Sequence, residues 1–383
     1  MQTALAHLRV GSLDEAGLDA AFPRDADQLL QAAISSGVFP GAVALIARRG
    51  IVAWHEACGH AQVIPSQRSM TRETIFDLAS LTKVIGTLPG VLHLWRTSVL
   101  ALDTPVDALV PEFAAVDRGQ VTIRHLLAHS AGLPSWRAIY LTTRRREQVL
   151  EALCQIPLDH PPGTVVEYSD VGILLLGCLL ERVTRTRLDV FLHQVVFAPL
   201  GLTQTMFVPP RALWDRCAAT EAGHAYERAK VHGAGGLRPE RETVLCGKVH
   251  DGNAYYAMEG IAPHAGLFST TWDVATVALQ WTRPSAFLPA PIVAEATRDQ
   301  TQGLRGYPRG LGWVLQHPEA FFAALGPRAF GHTGFTGTSV AVDPDEDLIV
   351  VLLTNRVHPR ADDVRIREFR QRFHELAYRA IRH

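Results

Sequence analysis

A serine with a lysine three positions later stands in the segment Phe76-Asp77-Leu78-Ala79-Ser80-Leu81-Thr82-Lys83-Val84. Val84, Leu88 and Val91 continue it at helical spacing, and Pro89 is placed to kink or shorten that helix. With Ser80 at a helix start, a side chain three residues on shares its face, so the Lys83 amine reaches the Ser80 hydroxyl. The free N–H groups of a helix N-terminus would stabilise negative charge developing on a bound carbonyl. The chemistry implied is attack by an activated serine. The same S-x-x-K pattern also occurs as a capped helix with a solvated lysine. Scarcity favours the first reading: only Lys83, Lys230 and Lys248 among the 37 basic residues are lysines, and arginine cannot take up a proton.

A serine hydroxyl needs a base at neutral pH. For lysine, with a reference pKa of about 10.4, that means a fall of roughly 3 units. Desolvation in a closed cleft with cations nearby supplies shifts of this size. A second group sharing the proton eases the demand, and Tyr168 is the candidate. It lies in Pro162-Gly163-Thr164-Val165-Val166-Glu167-Tyr168-Ser169-Asp170-Val171-Gly172, a turn, a short extended stretch and an apolar helix opening. By itself that segment reads more naturally as a tyrosine packed at a helix entrance, with Asp170 as cap. The third element is Phe330-Gly331-His332-Thr333-Gly334-Phe335-Thr336-Gly337. Its glycines would let a ligand approach the backbone on an edge strand, and an N–H there would complete an oxyanion hole with that of Ser80. A lone Gly-rich strand is usually only a bend.

Positioning these residues falls to recognisable elements. Residues 25–36 carry Leu29, Leu30 and Ile34 on one helical face. Runs 41–47 and 51–59 form a hairpin around Arg48-Arg49-Gly50, and 339–342 and 348–354 a second one around Asp343-Pro344-Asp345-Glu346-Asp347. A final helix spans about 364–381, with Phe369, Phe373, Leu376, Ala377 and Ala380 on one stripe. Helix and hairpin at one end, hairpin and helix at the other, predict an α+β fold. An antiparallel β-sheet is flanked by the N- and C-terminal helices, with a mainly helical region inserted. The sheet domain takes residues 1–75 and 260–383 and the helical domain 76–259, with the active site between them.

The three elements, in this order, resemble the serine β-lactamase and penicillin-binding protein superfamily, especially the class C β-lactamase-like hydrolases. Tyr168-Ser169-Asp170 stands for its Y-x-N element and His332-Thr333-Gly334 for K-T-G. The stretches Thr122-Ile123-Arg124-His125-Leu126-Leu127-Ala128-His129-Ser130-Ala131-Gly132-Leu133 and His264-Ala265-Gly266-Leu267-Phe268-Ser269-Thr270 are similar to the same family, and the likeness covers about residues 25–380. The resemblance implies a β-lactamase/transpeptidase-like fold. It implies an acyl-enzyme on Ser80, Lys83 and Tyr168 as the base, and a hole made by the N–H groups of Ser80 and Phe335. Asp170, His332, Thr333 and Gly334 would face the substrate. Two departures matter. Asp170 puts a negative charge where a neutral amide commonly contacts substrate, and His332 lacks the permanent charge of lysine. Both push away from penicillin-like anions, towards an esterase, D-aminopeptidase or carboxypeptidase-like activity with at most weak β-lactam turnover. The alternative is a non-catalytic penicillin- or muropeptide-binding protein on this fold.

The rest of the chain excludes other classes. At 383 residues, with 47% hydrophobic and 20% charged residues, the composition is that of a globular enzyme. A net charge of −1 offers no basic excess for nucleic acid, and the run Arg144-Arg145-Arg146 reads as a solvated helix face. Cys58, Cys154, Cys178, Cys217 and Cys246 are scattered and read as small buried hydrophobes. Val171 to Leu180, the longest apolar run, is about half the roughly 20 residues a membrane span needs. The start, Met1-Gln2-Thr3-Ala4-Leu5-Ala6-His7, has no secretory pattern, so a cytoplasmic location is expected. His55-Glu56-Ala57-Cys58-Gly59-His60 misses the zinc motif H-E-x-x-H by one residue and lies in a strand-like run. His250 and His264 read as structural or cleft-lining. No nucleophile elbow or nucleotide-binding glycine motif is present, so no cofactor is expected. The partner is a small-molecule or peptide substrate. Loops 134–146 and 222–260 are expected to shape the cleft, and the sequence leaves the oligomeric state open.

Overall fold

The computed structural model describes residues 5–114, 120–223, 225–231 and 243–382. Residues 1–4 of the N-terminal reading, and residues 224 and 232–242 of the second cleft loop, lie outside them. The chain runs through α1 (Phe22–Ser35), β1 (Gly41–Arg48), β2 (Ile51–Gln62), α2 (Leu88–Arg96), α3 (Asp170–Thr184), α4 (Thr271–Thr282), β3 (Phe330–Thr333), β4 (Ser339–Asp343), β5 (Leu348–Thr354) and α5 (Ile366–Arg379). Shorter helices and strands lie between them.

Strand order is β2-β1-β5-β4-β3, antiparallel throughout, with Arg9–Val10 beside β2 and Val314–Leu315 beside β3. The hairpins from the two ends of the chain therefore meet in the middle, Ile46 opposite Val350. Every residue of β5 is buried, because both faces of the sheet are covered. This is why Leu348-Ile349-Val350-Val351-Leu352-Leu353 reads as continuous apolar sequence and not as an alternation. Leu348, Val350 and Leu352 meet α1 and α5 through Phe22, Leu30, Phe369 and Phe373. Ile349, Val351 and Leu353 join the larger core with Val274 and Val277 of α4 and Leu78, Val84 and Leu88 of the inserted region. That region is helical apart from a small sheet in which Leu267–Ser269 pairs with Phe76–Asp77 and Met206–Phe207.

Four details differ from the sequence reading. Helix α1 begins at Phe22, three residues early, because Pro23 in the first turn loses no hydrogen bond there. The Gly-rich strand β3 is not an edge, since Val314–Leu315 pairs outside it. The arginine run is no solvated helix face: Arg146 turns inward to the carbonyls of Met258 (2.7 Å) and Ile261 (2.8 Å) and to Glu181 (2.6 Å). Ser80 does not open a regular helix. It lies in a 3₁₀ turn, Ala79–Leu81, followed by a π-helical turn, Lys83–Thr87, and α2 then begins with Pro89 in its first turn. A turn of this wider type often marks a functional site. All five cysteines are free, Cys154 and Cys217 fully buried. Among the described residues no helix is long and apolar enough to cross a membrane.

Candidate active site

The backbone in front of Ser80 is bent and held. Ala79 has φ +46°, a left-handed conformation that costs a non-glycine residue about 1–3 kcal/mol. The buried Asp77 carboxylate accepts from the Ala79 N–H (2.9 Å) and, through its other oxygen, from the His250 N–H (2.7 Å). The Thr336 hydroxyl donates to the Asp77 carbonyl (2.7 Å) and that of Thr338 to the Leu78 carbonyl (2.9 Å). The strained turn carrying Ser80 is thus tied to the loop between β3 and β4. The glycines serve the same junction. A Cβ on Gly334 would lie 2.3 Å from the Leu78 oxygen, and one on Gly331 2.8 Å from the Val340 oxygen. The close approach seen at Gly331 and Gly334 is that of the protein's own backbone.

Lys83 is 2% exposed, and its ammonium reaches three acceptors: Ser80 Oγ (3.0 Å), the His264 carbonyl (3.0 Å) and Asp170 Oδ1 (2.7 Å). The Tyr168 hydroxyl donates to Ser80 Oγ at 2.8 Å. Hydroxyl, amine and phenol from distant segments meet in one place. The anticipated fall in the lysine pKa does not occur. Burial pulls it down, but the Asp170 carboxylate and Tyr168 outweigh burial and hold Lys83 above the ordinary lysine value. Burial pushes the Tyr168 phenol up, with Lys83 opposing. The resting site therefore holds an ammonium and a neutral phenol. Asp170 is not the helix cap. Ser169 is, accepting from the Gly172 N–H at 2.9 Å, which leaves the Asp170 carboxylate to Lys83. Its carboxylate pairs with Lys83 at the edge of the cleft, which it also lines.

Tyr168 is placed by His129, which has φ +56° and is 2% exposed. The His129 carbonyl accepts from the Glu167 N–H (2.9 Å), its Nδ1 accepts from the Ser169 N–H (3.1 Å), and its ring centroid lies 4.6 Å from that of Tyr168. Burial, with Arg309 and Lys83 nearby, pushes His129 well below the usual histidine range, so it is a neutral bracket. The same causes keep His332 neutral; its Nδ1 donates to the Thr333 carbonyl at 2.9 Å. The cleft, about 340 Å³, is lined by Ser80, Tyr168, Asp170, His332, Thr333 and Phe335 of the anticipated set. Gly334 stands behind the wall, against Leu78. The Phe335 ring stacks on His250 (5.5 Å) and contacts Tyr226 (4.4 Å).

Sequence reasoning missed Asp77, the pairs His250–Glu221 and His264–Asp251 (each 3.0 Å), and Arg309. Although burial opposes it, the His264 imidazole holds the Asp251 carboxyl below the usual range. No spacing pattern announces these residues, and the two histidine–carboxylate pairs join positions 29 and 13 apart. The near-zinc motif does not converge. His55 bonds the Thr271 hydroxyl (2.8 Å) and His60 contacts Gln67 (3.0 Å), and among the described residues no three candidate ligands are grouped to hold a metal.

With this geometry in place, comparison with known proteins gives one answer. The family model Beta-lactamase matches residues 26–374. The N-acetylmuramyl-L-alanine amidase of Bacillus subtilis (strain 168) is 31% identical over 88% of this chain and 81% of that protein. A protein of Escherichia coli (strain K12) with the provisional name D-alanyl-D-alanine carboxypeptidase is 30% identical over 93% of this chain and 87% of that protein. Among solved structures, EstCE1, a hydrolase with promiscuous acyltransferase activity, superposes with a TM-score of 0.72 at 24% identity, covering 93% of this chain and 98% of that one. A penicillin-binding protein homologue from Caulobacter crescentus gives the same TM-score at 20% identity, over 95% of this chain and 99% of that one. The chain belongs to the Beta-lactamase family and is a serine hydrolase of that family.

Proposed function

We propose that this hydrolase cleaves an ester or amide bond in small D-amino-acid peptides or cell-wall fragments through an acyl-enzyme on Ser80, with β-lactams as poor substrates. The observation that carries the reading is the contact of Ser80 Oγ with both Lys83 Nζ and Tyr168 Oη in a closed corner of the cleft. Because Lys83 rests as an ammonium, it passes a proton to Asp170 and, as a neutral amine, accepts the Ser80 proton. Ser80 Oγ bonds to the substrate carbonyl carbon while the N–H groups of Ser80 and Phe335 hold the oxyanion. The bond to the leaving group breaks, and Tyr168 supplies the proton that group needs, drawing on Lys83. Water then attacks the ester, releasing the acid and returning a proton to Ser80. His332, Thr333 and Phe335 form the wall along which the substrate lies. The amidase and carboxypeptidase names of the relatives support the substrate class.

The test is covalent labelling and turnover. A fluorophosphonate should add one adduct to the intact mass, and Ser80→Ala should abolish it. Catalytic efficiency on short p-nitrophenyl esters should exceed that on a chromogenic cephalosporin. A protein that takes no adduct sinks the acyl-enzyme. Much faster cephalosporin hydrolysis overturns the substrate preference, and an adduct without any turnover makes the chain a binding protein.

A further inference from the structure

For Lys83 to take up the Ser80 proton, its lone pair must point at Ser80 Oγ. Protonated, a lysine has three donors and no acceptor. On losing one proton it keeps two N–H groups and gains a lone pair, so two fixed acceptors decide where that pair is aimed. Those acceptors are Asp170 Oδ1 (2.7 Å) and the His264 carbonyl (3.0 Å). Asp170 is the first residue of α3, whereas His264 lies in the loop before the strand Leu267–Ser269. The aim of the amine therefore depends on what holds that loop.

The loop is stitched along the serine turn. The Thr87 hydroxyl donates to the Pro263 carbonyl (2.6 Å), the Leu267 N–H to Thr82 Oγ1 (3.1 Å) and the Leu78 N–H to the Leu267 carbonyl (2.9 Å). Between these ties stands His264, 1% exposed. Its Nε2 lies 3.0 Å from Asp251 Oδ1, and its Nδ1 is buried without a hydrogen-bond partner among the described residues. An unsatisfied ring nitrogen costs stability that an apolar side chain in the same space would not. The Asp251 contact is what the histidine supplies in return. Asp251 is itself fixed, because the same oxygen accepts from the Ala254 N–H (2.8 Å) and caps the short helix Gly252–Tyr256. Its neighbour His250 donates its N–H to Asp77, whose other oxygen holds the Ala79 N–H in front of Ser80. Two adjacent residues thus reach both reacting groups, 250 through the nucleophile's turn and 251 through the acceptor of the amine.

We propose that Asp251 and His264 are a pair of positioning residues for the acylation step. The carboxylate fixes the His264 ring, and with it the backbone carbonyl that turns the Lys83 lone pair onto Ser80. The pair's role rests on the acyl-enzyme reading, in which Lys83 is the base.

The rate of covalent labelling tests this. His264→Phe keeps a buried ring and loses the bond. Its rate constant for fluorophosphonate labelling, and kcat on a p-nitrophenyl ester, should fall by about 10–100-fold. The final adduct should stay at one per chain, with KM within about twofold of wild type. His264→Gln, whose amide still donates to Asp251, should recover much of the rate. Asp251→Ser keeps a good helix cap but is too short to reach the ring, so it should lose as much as His264→Phe. The double variant should be no slower than either alone. Wild-type rate constants in both single variants overturn the proposal, whatever fraction of the protein labels. Losses that multiply in the double variant overturn it too. A wild-type protein that takes no adduct sinks the acyl-enzyme and the pair's role with it. An adduct in wild type with unchanged rates in the variants leaves the acyl-enzyme standing and removes only the pair.

Discussion

On the side of the sheet covered by α1 and α5, burial is mostly apolar, with Arg370 and His374 of α5 as buried exceptions. Phe22 meets Trp54 edge to face at 5.4 Å, Phe39 meets Phe369 at 4.9 Å, and Ala42, Ala44, Ala341 and Val350 fill the floor. On the side that leads to the cleft, the same sheet borders buried groups that each need a partner: Asp77, Lys83, Thr336, Thr338 and His332. The first side obtains stability from area removed from water. The second gives up part of that gain to hold a strained turn and an ion pair in place. The lesson is that stability and chemistry are divided between the two faces, so a mutation on one should leave the other's readout largely intact.

The largest effect that would sharpen this division is Ser80→Ala. Turnover should fall by about 10⁴–10⁶ with the melting temperature close to wild type; a fall of less than tenfold breaks the assignment of the catalytic side. Next is Phe373→Ala on the apolar side. Removing a fully buried ring next to Trp54 should cost about 3–5 kcal/mol in denaturant unfolding. The fraction that remains folded should label with fluorophosphonate at the wild-type rate, and slower labelling would show that the two faces are coupled.

A smaller effect concerns the proton inventory of the site. Asp170→Asn removes the anion that keeps Lys83 above its ordinary value, and burial then dominates and lowers it. The amine becomes available at lower pH, so the acid limb of kcat/KM should move down by about one unit or more while the maximal rate falls. An unmoved limb means that Lys83 does not set it. The smallest effect lies on the apolar side, where burial pushes His374 down to about 4. The unfolded chain binds a proton that the fold excludes, so stability should drop as pH falls from about 6.5 towards 4, by up to about 2–3 kcal/mol. His374→Gln should flatten that decline, as read by denaturant midpoints at pH 7 and pH 4.5.

The legible parts of the molecule were those written in local pattern. Ser80 and Lys83 share a turn, and the hairpins 41–59 and 339–354 show in apolar runs separated by polar turns. Tyr168 was legible only as one of three ordered elements. What stayed hidden depends on distance in the sequence. Asp170 looked like a charge facing substrate, but it pairs with Lys83, 87 positions away, and that pairing reverses the expected direction of the lysine shift. Arg309 carries no motif at all, since its place against the Tyr168 ring is set by packing. The glycines of 331–337 were legible as sites of close approach, and at Gly331 and Gly334 the structure shows the protein's own backbone there.

The two threonine clamps on the carbonyls of Asp77 and Leu78 come from residues 259 and 260 positions further along the chain. A ribosome-bound chain that has not yet delivered Thr338 already holds serine, lysine and tyrosine, but nothing fixes the turn on which the serine sits. Chemical competence therefore arrives late in synthesis, with the closing strands, and a C-terminally shortened product would be a bystander to its own substrate.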